Sequence, residues 1–430
     1  MKNLTPIKWF LLLVVCSVTA QQEKGIVGST NWLTNWTVFK PSEESYNETN
    51  SILYGKIDVN TTLFKKNTYL LQGPVYVTNN AVLTIEAGTV IKGDFETNGS
   101  LIITKGAKIL AEGKETDPIV FTSNRPSKKF GDWGGIVLLG DAPINKFGGS
   151  SSLNFDLDAS QTIYGGTNLQ SNSGILRFVR IEFAGKKVKG FKDFNSLSIA
   201  GVGNKTVIEN VMCSFAANNS FEILGGDVVL IKMVSLRSNG NDFRFTQGTQ
   251  CRIDNSLAVR NSYYSSSTRS RCFEVASYDK KEEADLSKSL TQVVATNFTM
   301  VNDSKDLSGD LAKGLVKEAV FVHNNTSLTL KKTVISGFMP AIVLDDDTVI
   351  DDKNLKKLRF EEVYFNNCKG NIFVENSSNN EDLENHYGTT SFFNWFENTP
   401  NKDFFIDIYN QKDNPDFRIQ IGKITASNSK

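Results

Sequence analysis

Phe221-Glu222-Ile223-Leu224-Gly225-Gly226 returns twenty-two residues later as Phe243-Arg244-Phe245-Thr246-Gln247-Gly248. The flanking runs Ile208-Glu209-Asn210-Val211, Ile231-Lys232-Met233-Val234 and Ile253-Asp254-Asn255-Ser256 keep the same step, at twenty-two or twenty-three residues. Nearer the start, Leu83-Thr84-Ile85-Glu86-Ala87-Gly88 is followed after eighteen residues by Leu101-Ile102-Ile103-Thr104-Lys105-Gly106. Self-similarity at a short fixed period marks units that bury their apolar face only by stacking on one another. A unit of this length holds three short strands with their turns, each strand hydrogen-bonding to the next unit about 4.8 Å away. Leucine-rich repeats share the length range but need Leu-x-x-Leu-x-Leu in every unit, and that pattern is missing. The sequence therefore predicts an all-β fold, a right-handed parallel β-helix, with Ile208, Ile231 and Ile253 stacked inside as an aliphatic ladder.

The rest of the chain arranges itself around that solenoid. Residues 1–20 carry Lys2 and Lys8, an apolar run from Trp9, and the small-residue exit Val18-Thr19-Ala20, the pattern of a secretory signal peptide. The bulky Val15 before Cys16 argues against a lipid anchor there, and no later stretch is long enough to span a bilayer. Residues 21–50 hold Trp32, Trp36, Phe39 and Tyr46 and read as a leader ending in an aromatic cap on the main domain, or else an exposed ligand platform. The β-helix is expected over 51–400 and a tail over 401–430. Charge-rich 280–290 and 303–314 lack a long apolar stripe and read as inserted loops or short helices.

Basic and acidic side chains balance at 47 each, and loss of Lys2 and Lys8 with the leader leaves the acids two in excess. That excludes a nucleic-acid binder working by phosphate neutralisation. Four cysteines remain beyond Cys16, and two of them, Cys251 and Cys272, lie twenty-one residues apart. Equivalent places on adjacent coils would bring them within disulfide reach, and a bridge between them is expected, against the alternative of two buried thiols.

Candidates for chemistry are few. Hydrolysis of a glycosidic bond needs two carboxylates facing one groove at about 5–9.5 Å. Glu222 and Asp242 are nearly one repeat apart, yet Glu222 aligns with Arg244, so the acids fall in different columns. Glu222, Asp242 and Arg244 are ligand-binding candidates on a surface charge ladder. Trp133, in Gly131-Asp132-Trp133-Gly134-Gly135, is a candidate to stack on a sugar, against the reading of a packed lid over a neighbouring coil. His323 and His386 read as ordinary surface or turn histidines. Asp345, Asp346 and Asp347 form the densest acidic run, a weak calcium candidate because consecutive Asp side chains diverge and no Gly tightens the turn. No other cofactor is expected.

LTIEAGTVIKG, GSLIITKGAKILAEGKETDPIVFTS, GDWGGIVLLGDAPIN, GILRFVRIEFAG and LSIAGVGNKTVIENV, in that order, resemble a family of exported parallel β-helix proteins of the Bacteroidetes cell envelope. The likeness runs from about Trp32 to Gly248. It implies a periplasmic, outer-membrane-surface or extracellular protein, with a cell-surface glycan or a TonB-dependent outer-membrane receptor as partner. Where that family carries acidic pairs, this chain has Asn218-Asn219-Ser220 and Asn241-Asp242, which removes acids a cation site would use. The expected function is a non-catalytic binding or scaffold protein. The alternative is a polysaccharide lyase or glycoside hydrolase on the same fold, a choice that fold alone does not make.

Overall fold

In each repeat the strand period of two decides which side chains go in. Along Phe221–Leu224, Phe221 and Ile223 enter the core while Glu222 and Leu224 face outward. The computed structural model describes residues 24–265, 270–370, 372–374, 381–410 and 414–420. Among them, 29 strands join in one sheet whose pairings are parallel, coil upon coil, forming a right-handed parallel β-helix. Residues 1–20, expected to be a signal peptide, and residues 421–430 lie outside the described residues.

Each central coil presents three faces. Face A contains Asp227–Ile231, Gln250–Asp254 and Gln292–Thr296. Face B contains Val234–Leu236, Leu257–Arg260 and Thr299–Asn302. Face C contains Phe221–Leu224, Phe243–Thr246 and Phe273–Val275. The corner between A and B is made by one left-handed residue per coil, among them Asn210, Lys232, Asn255 and Asn297 with φ between 47° and 54°. Asn suits that conformation because its short amide tolerates it and bonds locally. Face C is stiffened from within by a phenylalanine stack in which the rings of Phe221 and Phe243 lie 4.7 Å apart and Phe273 meets Phe243 edge-on at 5.5 Å.

The aliphatic ladder exists, with one member corrected. Leu176, Ile208, Leu230, Ile253 and Ala295 stand level on successive coils. Ile231 instead pairs with Glu209 and Asp254 on the outward side and is half-buried. The spacing from Ile208 to the inner residue of the next coil is twenty-two and then twenty-three, and a one-residue offset turns a side chain to the opposite face.

The expected Cys251–Cys272 bridge is likewise replaced by two buried free thiols. Cys251 sits on face A level with Val228 and Val293, whereas Cys272 precedes Phe273 on face C. Residues inserted between Arg260 and Phe273 lengthen this coil, so twenty-one residues no longer amount to one turn. Burial pushes both thiols' pKa up, which keeps them neutral.

The leader does not cap the end of the helix; it runs down the flank over face B. Gly25 N–H donates to Lys332 O, the Asn255 side chain bonds both Val27 and Trp32, and Tyr46 donates to Glu182. Face B needs this cover because its outward residues are apolar: Met212, Val234, Leu257 and Val334 pack under Ile26, Leu33 and Trp36. Phe404, Phe405, Phe417 and Ile419, from the segment read as a tail, complete the same cover. The inserted segments fold as short helical turns at Lys281–Glu283 and Leu307–Ala312.

The corrected register is testable by equilibrium unfolding. Leu230→Ala should cost about 2–5 kcal/mol, as for a fully buried large-to-small change, and Ile231→Ala under about 1 kcal/mol. A reversal of that order would restore the register with Ile231 inside.

Candidate functional site

Face C changes character along the axis. Its outward column begins with Tyr76, Ile102 and Val137, which are sealed beneath Leu153, Phe155 and Tyr164 of an overlying loop. Past that cover the column continues as Ser198, Glu222, Arg244 and Glu274, level on successive coils. An open groove of about 460 Å³ lies over this polar stretch.

The groove floor is a network of ions. Glu222 is fully buried, and its Oε1 accepts from Lys192 Nζ at 2.8 Å and from Arg244 Nη1 at 2.7 Å. Its Oε2 accepts from Asn195 Nδ2 at 2.7 Å. Burial alone would raise this carboxyl's pKa, but the Lys192 and Arg244 cations outweigh it and hold the group below its ordinary range. Arg244 also bonds Asp279, and its Nε stands 3.8 Å from Glu274. Burial works against Asp279 as well, and Arg244 and Lys192 again prevail, depressing its pKa.

Beside the charges runs an amide ladder. Asn219 Nδ2 donates to Asn195 Oδ1 at 3.0 Å, Asn241 N–H donates to Asn219 Oδ1 at 3.0 Å, and Arg271 N–H donates to Asn241 Oδ1 at 3.1 Å. Asn241 Nδ2 donates to Glu274 Oε2 at 2.6 Å. The amides join coil to coil at this turn without adding charge.

Of the residues singled out from sequence, Glu222 and Arg244 meet in this groove and Asp242 and Trp133 do not. Asp242 is buried on the other side of its turn, accepting from Ser235 Oγ at 2.5 Å and from Arg260 Nη1 at 3.0 Å. Burial raises its pKa in spite of Arg260. Trp133 is wholly buried, stacked on Phe121 at 6.4 Å, with Nε1 donating to Glu182 O at 2.7 Å, so it is a packed lid and offers no sugar platform.

His323, by sequence an ordinary surface or turn histidine, lines the groove. Its Nε2 lies 3.3 Å from Glu274 Oε1 and its Nδ1 lies 3.2 Å from Asp345 Oδ2. It links the groove to Asp345, Asp346 and Asp347, whose carboxylate oxygens lie within 4.8 Å of one another. A hydrogen bond with Asp345 pushes the exposed Asp346 up. Calcium takes six to eight oxygens, and the one partly buried member of this trio, Asp345, already engages His323.

Sequence reasoning passed over Glu274, although Phe273-Glu274-Val275 is a third copy of the Phe-x-apolar strand displaced by the insertion before it. Lys192 and Tyr278 come from loops with no repeat signal.

Residues 55–413 match the family model described as a pectate-lyase-like β-helix domain. No curated protein matches this chain. Among solved structures, the crystal structure of pectate lyase Pel9A aligns over 90% of this chain and 92% of that one, at 12% identity and a TM-score of 0.40.

The depressed Glu222 pKa carries a pH signature. Its ordinary value is 4.5, so its stabilising contribution is complete above that pH and is lost as the pH falls through the lower folded value. Asp242 and Glu182 shift the opposite way, so the informative quantity is the difference between wild type and Glu222→Gln. The variant's melting temperature should fall less steeply between about pH 5 and pH 3. Parallel acid limbs would mean that Glu222 is not the ionised partner of Lys192 and Arg244.

Proposed function

This chain belongs to the pectate-lyase-like β-helix family, and from that premise we propose that it is a non-catalytic saccharide-binding protein of the cell envelope. The observation that carries this reading is that the ions of the groove floor are spent on one another. Glu222, buried and held ionised by three donors, has neither a proton to give as a general acid nor an exposed oxygen to act as a nucleophile. Arg244 is committed to Glu222 and Asp279 and is held protonated by them, so it does not abstract a proton.

What faces solvent over that floor is a hydrogen-bonding inventory: the Oδ1 of the partly exposed Asn218, whose Nδ2 is held by Asp193 O and Asn195 Oδ1, the Tyr278 ring and Lys187. Such groups suit sugar hydroxyls, which both donate and accept. The secretory pattern of residues 1–20 supports an exported location. No helix among the described residues is long and apolar enough to cross a membrane.

Calorimetric titration with neutral and uronic oligosaccharides, run beside an assay for unsaturated or reducing-end products, tests the reading. The expected result is binding without turnover, weakened about tenfold in Asn218→Ala by loss of one hydrogen bond. Turnover abolished by Glu222→Gln would establish the alternative, a carbohydrate-active enzyme.

A further inference from the structure

Two of the three faces are dressed: face B is sealed by the leader and the C-terminal hairpin, and face C carries the overlying loop and the groove. Face A has no such cover. Its ten strands succeed one another from Thr61–Leu63 to Leu358–Glu361. On its outer side Leu110, Ile175 and Val207 stand level on successive coils, and Val229, the residue before Leu230, follows Val207, the residue before Ile208. Their neighbours Ile109, Leu176, Ile208 and Leu230 fill the core, so these four point outward, and all four remain part-exposed. They form an apolar midline on an open sheet, the kind of patch that marks a contact surface.

The two borders of this face carry opposite charges. Lys108-Ile109-Leu110-Ala111-Glu112, Lys205-Thr206-Val207-Ile208-Glu209 and Lys357-Leu358-Arg359-Phe360-Glu361 each put a lysine where face C turns into face A and a glutamate where face A turns into face B. Four strand steps span about 13 Å, so the lysine and glutamate of one set do not meet within one copy. None of the three lysines has an ion-pair partner among the described residues. On the opposite border Arg177 stands between Glu112 and Glu209 and answers only one of their two charges. Two arginines share the midline column, but Arg252 Nη2 lies 3.6 Å from Asp227 Oδ1 at one border and Arg359 Nε donates to Glu361 at 2.7 Å at the other, so both guanidinium groups lean away from it.

We infer that face A binds a second copy of this chain, two copies packing face to face about a two-fold axis parallel to the solenoid. Rotation about that axis turns every strand end for end while keeping its height. Lys108 then meets the partner's Glu112, Lys205 the partner's Glu209 and Lys357 the partner's Glu361, and the apolar midline lies on its own copy. The contact has an apolar centre between two charged rims, as stable interfaces do, and it is self-complementary, so it closes at two copies without leading to fibres. Ten strands about 4.8 Å apart and five residues of about 3.3 Å each give a surface of about 700 Å², close to the about 800 Å² per partner of a stable interface. Faces B and C stay outside the contact, so each copy keeps its groove, and the inference does not depend on what that groove binds.

Sedimentation velocity and light scattering of the full chain, at concentrations up to about 100 µM, test it. The wild type should run as a dimer. Ile175→Lys sets like charges against each other across the axis and should raise the dissociation constant at least about a hundredfold. Lys205→Glu faces the partner's Glu209 with a like charge and should raise it about tenfold, and the double variant Lys205→Glu/Glu209→Lys, which exchanges the two charges, should recover the dimer. All of these side chains lie outside the core, and melting curves verify that each variant folds. A monomer at every concentration would overturn the inference, as would a dimer that Ile175→Lys and Lys205→Glu leave intact, since another surface would then hold it. A double variant no better than Lys205→Glu alone would overturn the two-fold arrangement.

Discussion

Parallel stacking places every side chain of a β-helix directly above its counterpart, so each column must tolerate its own repetition at about 4.8 Å. Inside, that favours Leu, Ile and Phe, which gain dispersion from like neighbours. Outside, like charges in register would repel. The column Glu222, Arg244, Glu274 meets the constraint by alternating sign from coil to coil. The asparagines beside it meet it differently, since an amide both donates and accepts and so stacks on itself without penalty.

The same constraint explains the wrapping of face B. A column that repeats Met212, Val234 and Leu257 on its outer side exposes an apolar stripe along the axis unless something covers it. The leader, extended and rich in aromatics, lies antiparallel to the growth of the solenoid and seals the stripe together with the C-terminal hairpin. Asn255 serves both tasks at once: it takes the left-handed corner and offers its amide to Val27 and Trp32.

How much of this was legible follows from where the period is kept. Phe221-Glu222-Ile223 and Phe243-Arg244-Phe245 gave the fold and brought Glu222 onto Arg244, because no residue intervenes to change the length of that coil. Ile231 was misplaced by a single residue, since hydrophobic identity at twenty-two or twenty-three does not distinguish Leu230 from its neighbour. Cys251 and Cys272 were misjudged for a larger reason: an insertion in face B's outgoing turn makes spacing along the chain a poor measure of height along the axis. Lys192, Asp279 and His323 reach the groove from segments outside the matched repeats, and nothing local in the sequence says which strand they will meet.

The groove's chemistry then turns on saturation. A buried carboxylate that accepts from two cations and an amide is stable because its field is fully answered, and a fully answered group has no proton affinity left to tune toward neutral pH. Catalytic acids are made by leaving such groups partly unanswered, so that burial raises the pKa without a counter-ion to restore it. Asp242 is raised by burial in spite of its counter-ion Arg260, but it is sealed behind Arg260 and Ser235, away from the groove. Asp242 is therefore inaccessible from the groove, and Glu222 in the groove is neutralised. That division favours a rigid, hydrogen-bonding surface over a reactive one.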